Sequence, residues 1–260
     1  MRYCCGPGKG LRGALSGDFS GGFRGSMNKR LLSRVINHLF PSQCPSCEVE
    51  TDNISHAPFC ERCWSGIRRY AGPACRICRT PFSSEFSDIC GGCMRNPPRF
   101  SRALAYGIYD GVLADAIHHF KLRGIKRLYR PLGRFLLTLD ISGIDALVPV
   151  PLSVRKLRER GFNQSLLLAR VVSGEAGIPL ILDGLMKRED TLPQIGLSAA
   201  ARRENIRGAF SAERSFGGMR LMLVDDVMTT GATARECAKV LLKAGASDVT
   251  VAALARASAL

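Results

Sequence analysis

The chain has 260 residues, with 37 Lys+Arg against 22 Asp+Glu, a formal net charge of +15 and 11 cysteines. A hydrophobic content of 46% excludes wholesale disorder, and with no run of eighteen apolar residues no transmembrane segment is expected. The basic balance favours a polyanionic partner, whether nucleic acid, an acidic membrane surface or a phosphorylated small molecule.

Residues 1–26 carry eight glycines, Gly6, Gly8, Gly10, Gly13, Gly17, Gly21, Gly22 and Gly25. Such a segment does not repay its ordering entropy, so it reads as a disordered extension ahead of a true start at Met27. It has no continuous apolar stretch of the kind a secretory signal needs, and the expected compartment is the cytoplasm. Residues 27–43 read as an amphipathic helix, because Leu31, Leu32, Val35, Ile36 and Leu39 recur at helical spacing before Pro41.

Residues 44–100 hold eight of the cysteines in four CxxC pairs: Cys44/Cys47, Cys60/Cys63, Cys75/Cys78 and Cys90/Cys93. The x2 spacing lets both thiolates of a pair face one ion, and a second pair closes a tetrahedron. Eight cysteine ligands make two closed, structural Zn²⁺ sites. Two such sites reduce the net charge to about +11, counting eight thiolates and two divalent ions. Sequential pairing is the simpler arrangement, and a cross-braced one fits the same spacing. The competing reading is redox CxxC chemistry, which usually uses a single pair before a helix. Trp64, Ile67, Tyr70, Ile77 and Phe82 are expected to build small cores around the ions, and His56 to be a surface residue.

Residues 101–260 alternate short apolar runs with helical stretches. Strands are expected at 104–109, 146–150, 221–224 and 249–254, with a weaker one at 179–182. Helices are expected at 111–122, through 166–172 and at about 232–244. Uniformly apolar runs alternating with helices mean an α/β domain whose mostly parallel sheet is covered on both faces. Cys237 falls on the apolar face of the last helix and reads as a small core residue.

The most informative stretch runs from Leu221 to Thr233. An apolar strand ends in Asp225 and Asp226, and a turn of Val227, Met228, Thr229, Thr230 and Gly231 leads through Ala232 and Thr233 into a helix. Backbone N–H groups, threonine hydroxyls and a helix N-terminus make a cradle for one phosphate, at the carboxyl end of a strand where α/β sheets bind ligands. Two carboxylates beside a phosphate call for ligand hydroxyls or Mg²⁺, as a phosphorylated sugar with a vicinal diol supplies. A Walker B strand also ends in acids, but no GxxxxGK[ST] lies upstream.

This segment resembles the signature that binds phosphoribosyl pyrophosphate (PRPP) in type I phosphoribosyltransferases. The chain as a whole, over roughly residues 30–256, resembles the ComF/GntX-like competence protein family. The supporting stretches are the CxxC pairs, Val150–Ser153 leading to Arg158–Gln164 (RERGFNQ), Thr191–Gln194, Leu197-Ser198, Arg203, Asn205 and Gly208–Phe210. The resemblance implies a type I phosphoribosyltransferase-like parallel sheet flanked by helices, preceded by a small zinc-ribbon-like region. It further implies that Asp225 and Asp226 bind the ribose hydroxyls, that residues 227–233 wrap the 5′-phosphate, and that Pro151, Leu152 and Ser153 form the pyrophosphate loop. Residues 185–209 correspond to a hood over PRPP. The family pattern often has His where Ser153 stands.

Two functions follow. One is Mg²⁺-dependent phosphoribosyl transfer, the other a non-catalytic module for single-stranded DNA or a nucleotide. The resemblance implies a role in natural competence and DNA uptake, with the competence machinery as partner. Tyr106, Tyr109, Tyr129 and Phe162 are the aromatics available for base stacking, each read more readily as core.

Overall fold

The computed structural model describes residues 43–51, 56–82, 87–188 and 206–258. The expected glycine-rich extension and residues 27–42 of the expected helix lie outside the described residues, as do 189–205 of the expected hood.

Two short helices open the described chain, α1 (Glu61–Ser65) and α2 (Gly91–Arg95), each following a CxxC turn. The α/β part then runs β1 (Arg102–Ile108), α3 (Gly111–Lys121), a 3₁₀ turn at Lys126–Leu128, α4 (Tyr129–Leu137), β2 (Ala146–Pro149), α5 (Val154–Arg160) and α6 (Gln164–Ala176). It continues through β3 (Met186–Lys187), β4 (Phe210–Ser211), β5 (Arg220–Met228), α7 (Ala232–Lys243) and β6 (Asp248–Arg256).

Four strands form one sheet in the order β1-β6-β5-β2, with every pair parallel. Strands β3 and β4 make a separate antiparallel pair at the two ends of the expected hood. The central strands β5 and β6 are buried almost end to end, which explains their unbroken apolar sequence. Alternation along most of their length sorts their side chains onto two faces. Leu221, Leu223, Val249, Val251 and Ala253 join one core with Ala234, Ala238 and Leu241 of α7. Met222, Val224, Ala252 and Leu254 join the other with residues of α3, α4 and α6. Cys237 is fully buried in the first core, as its helix face indicates.

The expected strand at 179–182 is reduced to one parallel bridge between Leu180 and Leu147. Strand β5 runs four residues past its expected end and carries both aspartates within it. Two helices stand where the sequence reading placed none. Residues 154–160 form α5, capped by Ser153 and ended by Gly161 at φ 73°. Helix α4 contains Pro131 and Gly133, residue types that disfavour helix interiors, yet both fit. Pro131 lies in the first turn, where its missing N–H has no partner to lose. Gly133 lets α4 approach α6, because a Cβ there would lie 2.7 Å from Cβ of Val171.

The cysteine region does not form the separate small cores expected of it. Cys44, Phe59 and Cys60 pack into the α3/α4/α6 core, and Cys75, Cys78 and Cys93 into the α7 core. The two ribbons therefore sit on opposite faces of the sheet. The segment joining them covers the open edge of β1, where Tyr70 N–H donates to Tyr106 C=O (2.8 Å) and Ala103 N–H to Ile77 C=O (2.7 Å). Those bonds satisfy groups that an exposed edge would offer to another chain.

Candidate functional site: paired cysteine knuckles and an acidic strand end

The structure brings the eight cysteines together as two groups, Cys44/Cys47/Cys60/Cys63 and Cys75/Cys78/Cys90/Cys93, with all sulfurs of each group within 4.8 Å of one another. This is the sequential pairing, not the cross-braced one. Cys47 and Cys60 sulfurs lie 3.6 Å apart across the pairs, and Cys78 and Cys90 sulfurs 3.5 Å. Tetrahedral Zn²⁺ with bonds of about 2.3 Å requires sulfurs about 3.8 Å apart, so both donor sets fit. In each group the residue after the first CxxC, Glu48 or Arg79, takes φ near +60° and turns the chain back. The second CxxC of each group starts a helix, with the Cys60 and Cys90 sulfurs accepting from the N–H of Cys63 and Cys93.

Burial pushes the Cys63 and Cys93 thiols up, and neighbouring sulfurs push the same way. Burial also opposes charge on Cys44 and Cys78, but it is outweighed there. Backbone N–H groups bring Cys44 down to about 7, and the hydroxyl and N–H of Thr80 bring Cys78 to about 6. Four thiolates this close repel one another and coexist only around a cation. His56 is not the surface residue expected. It is 5% exposed, stacks on Trp64 at 5.2 Å and lies 3.5 Å from Glu61, outside the sulfur set.

At the other end of the sheet, β5 delivers Asp225 and Asp226 to the loop before α7. Asp226 is 5% exposed and pairs with Lys121, the last residue of α3, at 2.7 Å. Burial opposes the Lys121 charge, but the Asp226 carboxylate overrides it and raises the ammonium above its ordinary range. Asp225 accepts from the Ser165 hydroxyl (3.2 Å) and from Asp226 N–H (2.9 Å). Burial first, then the Asp226 charge, lifts its carboxyl to about 7, with Lys121, Asp226 N–H and Ser165 pulling partly back.

The turn then passes Thr229, Thr230 and Gly231, where Gly231 at φ 74° opens α7. The Thr230 hydroxyl accepts from Ala232 N–H at 3.3 Å, and Thr229 is exposed. Gly231 needs its left-handed conformation, which a side chain would strain. The twelve-residue α7 aims its N-terminal N–H groups and positive end at the turn.

Pro151, Leu152 and Ser153 follow β2, the strand beside β5. Ser153 is 3% exposed and accepts from Lys156 N–H at 3.4 Å, so it caps α5. The RGFNQ stretch ties these parts together. Asn163 donates to Val150 C=O (3.0 Å), and Gln164 donates to the C=O of Lys121 (3.4 Å). Ser165 follows and reaches Asp225. Lys121 and Ser165 are the site residues that sequence reasoning missed. Only the position of Ser165 directly after RGFNQ offered a signal. Tyr106 and Phe162 are buried, Tyr129 is half-buried, and Tyr109 is 38% exposed.

A cleft of about 460 Å³ opens on the flank of α7, not over Asp225. Asn96, Arg99, Arg207, Arg235, Glu236 and Lys239 line it, and it reaches Ala232 of the loop.

Two cysteine knuckles seated on a parallel sheet flanked by helices define a zinc-ribbon protein with an α/β body, as expected from the sequence. Residues 35–94 match the family model of the double zinc ribbon domain. Competence protein F of Haemophilus influenzae is 32% identical over 225 residues, covering 82% of this chain and 90% of that protein. The DNA utilization protein YhgH of Escherichia coli K12 is 32% identical over 224 residues, covering 83% and 97%. Competence protein ComFC of Bacillus subtilis is 29% identical over 199 residues, covering 72% and 78%. Glutamine PRPP amidotransferase from B. subtilis, solved with ADP and GMP, is 29% identical over 48% of this chain and 25% of its own, with a TM-score of 0.35. The chain belongs to the competence protein F (ComF) family. No helix among the described residues is long and apolar enough to cross a membrane.

Proposed function

We propose that residues 101–260 form a phosphoribosyltransferase-like domain that binds PRPP or a related phosphorylated ribose with Mg²⁺, and that residues 44–100 are a zinc-bound ribbon region. The observation that carries this reading is the junction of β5 with α7. A half-buried Asp225, a buried Asp226, a left-handed Gly231 and a helix N-terminus meet within nine residues. Asp225 offers oxygens to a ribose diol, and the N–H groups and hydroxyls of 229–233 suit a 5′-phosphate. Mg²⁺ suits carboxylate and diphosphate oxygens and would neutralise the repulsion between them. In transfer, an acceptor nitrogen bonds to C1 of the ribose as the C1–O bond to pyrophosphate breaks. The cations of the chain would then stabilise the departing oxyanion.

The names of its relatives support a role in competence or the use of DNA, and the cytoplasm is the compartment proposed for it. A second reading keeps the pocket as a sensor and assigns the basic surface to single-stranded DNA. The net charge of +15 and the exposed Arg155, Arg158, Arg123 and Arg127 favour it. Ribose 5-phosphate with Mg²⁺ should raise the melting temperature, whereas ribose alone should not. Pyrophosphate release with one of a panel of bases would identify transfer. Equal stabilisation by ribose and ribose 5-phosphate would sink the assignment of the loop to phosphate.

A further inference from the structure

The two knuckles are alike in their sulfurs but differ in what they touch. Arg256, the last residue of β6, is 6% exposed. Its guanidinium donates from Nε to Cys78 C=O (3.0 Å), from Nη2 to Thr80 Oγ1 (2.7 Å) and from Nη1 to Met228 C=O (2.7 Å) and Ala257 C=O (3.4 Å). Met228 ends β5 and opens the candidate phosphate loop. Thr80 Oγ1 lies 3.0 Å from the Cys78 sulfur. Because Arg256 occupies an acceptor site of that hydroxyl, the O–H proton is free to point at sulfur. A continuous path of hydrogen bonds therefore joins the entry of the loop to a ligand of the second knuckle.

The exit of the loop has its own tie. Arg235, in the first turn of α7, donates to Asn96 C=O (2.7 Å) and approaches the Cys93 sulfur at 3.7 Å. Among the described residues, no carboxylate pairs with Arg256 or Arg235. Their counter-charge is the knuckle itself, since four thiolates around one divalent ion carry about −2. Hydrogen bonds of this kind orient metal ligands and are in turn held by them. Among the described residues, no arginine approaches a sulfur of the first knuckle. Its described polar links run to α3 and the turn after it, through Ser46 to Asp115 (2.7 Å) and Arg127 to Ala57 C=O (2.9 Å).

We propose that Arg256 is a positioning residue that holds the phosphate loop to the second cysteine knuckle, so that the metal in that knuckle sets the loop's shape and the metal in the first does not. The proposal rests on the phosphate reading of the loop for its consequence, but its geometry can be tested without a ligand.

The test is hydrogen–deuterium exchange on the zinc-loaded full chain, comparing wild type with Arg256→Gln, Thr80→Val, Cys90→Ser and Cys47→Ser. Zinc content and ribose 5-phosphate affinity are measured on the same samples. Arg256→Gln is expected to speed exchange over residues 228–235 about tenfold while leaving α4 and α6 protected and both zinc ions in place. Thr80→Val, a near-isosteric change, should act in the same direction by about threefold and serves if Arg256→Gln does not fold. Cys90→Ser should loosen the loop, and Cys47→Ser should not. Unchanged loop exchange in the folded arginine or threonine variant overturns the proposal, as does equal loosening on loss of either knuckle. If the loop responds as expected but ribose 5-phosphate does not bind wild type, the tie stands and the phosphate reading fails.

Discussion

Asp225 sits where a charge is costly, and the cost has a sign. Its carboxyl is lifted from 3.8 to about 7 in the folded chain, so the unfolded chain gives up its proton first. The stability this group contributes is complete below about pH 4 and is lost as pH rises to about 7. Asp225→Asn is therefore expected to stabilise the free protein by about 1–2 kcal/mol at pH 8, discounted for coupling to Asp226, with the gain vanishing towards pH 4. Thermal melts across that range check it. The same variant should lose ribose binding, because the amide supplies one acceptor in place of a carboxylate. Lys121 makes the opposite case. Lys121→Met leaves Asp226 buried without its cation and should cost about 3 kcal/mol, and adding Asp226→Asn should recover most of it. Denaturant titration of the four proteins measures the coupling. The aspartates were legible because they break an apolar run beside a Thr-Gly turn. Lys121 and Ser165 were not, since each reaches the site across 60 residues or more of chain.

At the scale of elements, strands β5 and β6 and helices α3 and α7 announced themselves by period and apolarity. Helix α4 hid behind Pro131 and Gly133, whose suitability depends on neighbours that sequence does not display. Gly133→Ala tests that packing. The added methyl would meet the Cβ of Val171, on a helix backbone that cannot swing away as a flexible side-chain tip can. A loss of about 1–3 kcal/mol is expected in chemical denaturation, although alanine is the better helix former. The small strand at 179–182 failed for a related reason. It has apolar residues, but it meets β2 at a single position and turns away. Trp64 and Phe82 were correctly read as packing residues, but they pack against the two cores of the sheet.

Over the whole molecule, the ribbons and the sheet share two cores instead of owning one each. Chelation should therefore lower the melting temperature of the entire described fold in one transition, whereas independent ribbons would leave a later transition unmoved. Calorimetry with and without chelator separates these outcomes, and metal analysis should give two zinc ions per chain. If the basic surface holds single-stranded DNA, its affinity should fall steeply with salt, independently of Asp225. The central claim is that the loop between β5 and α7 holds a phosphorylated ribose. Calorimetric titration of PRPP with Mg²⁺ into wild type and Asp225→Asn tests it most directly. Saturable binding at one site per chain, lost in the variant, is the expected result. No heat of binding in wild type, or equal binding in both proteins, would contradict it.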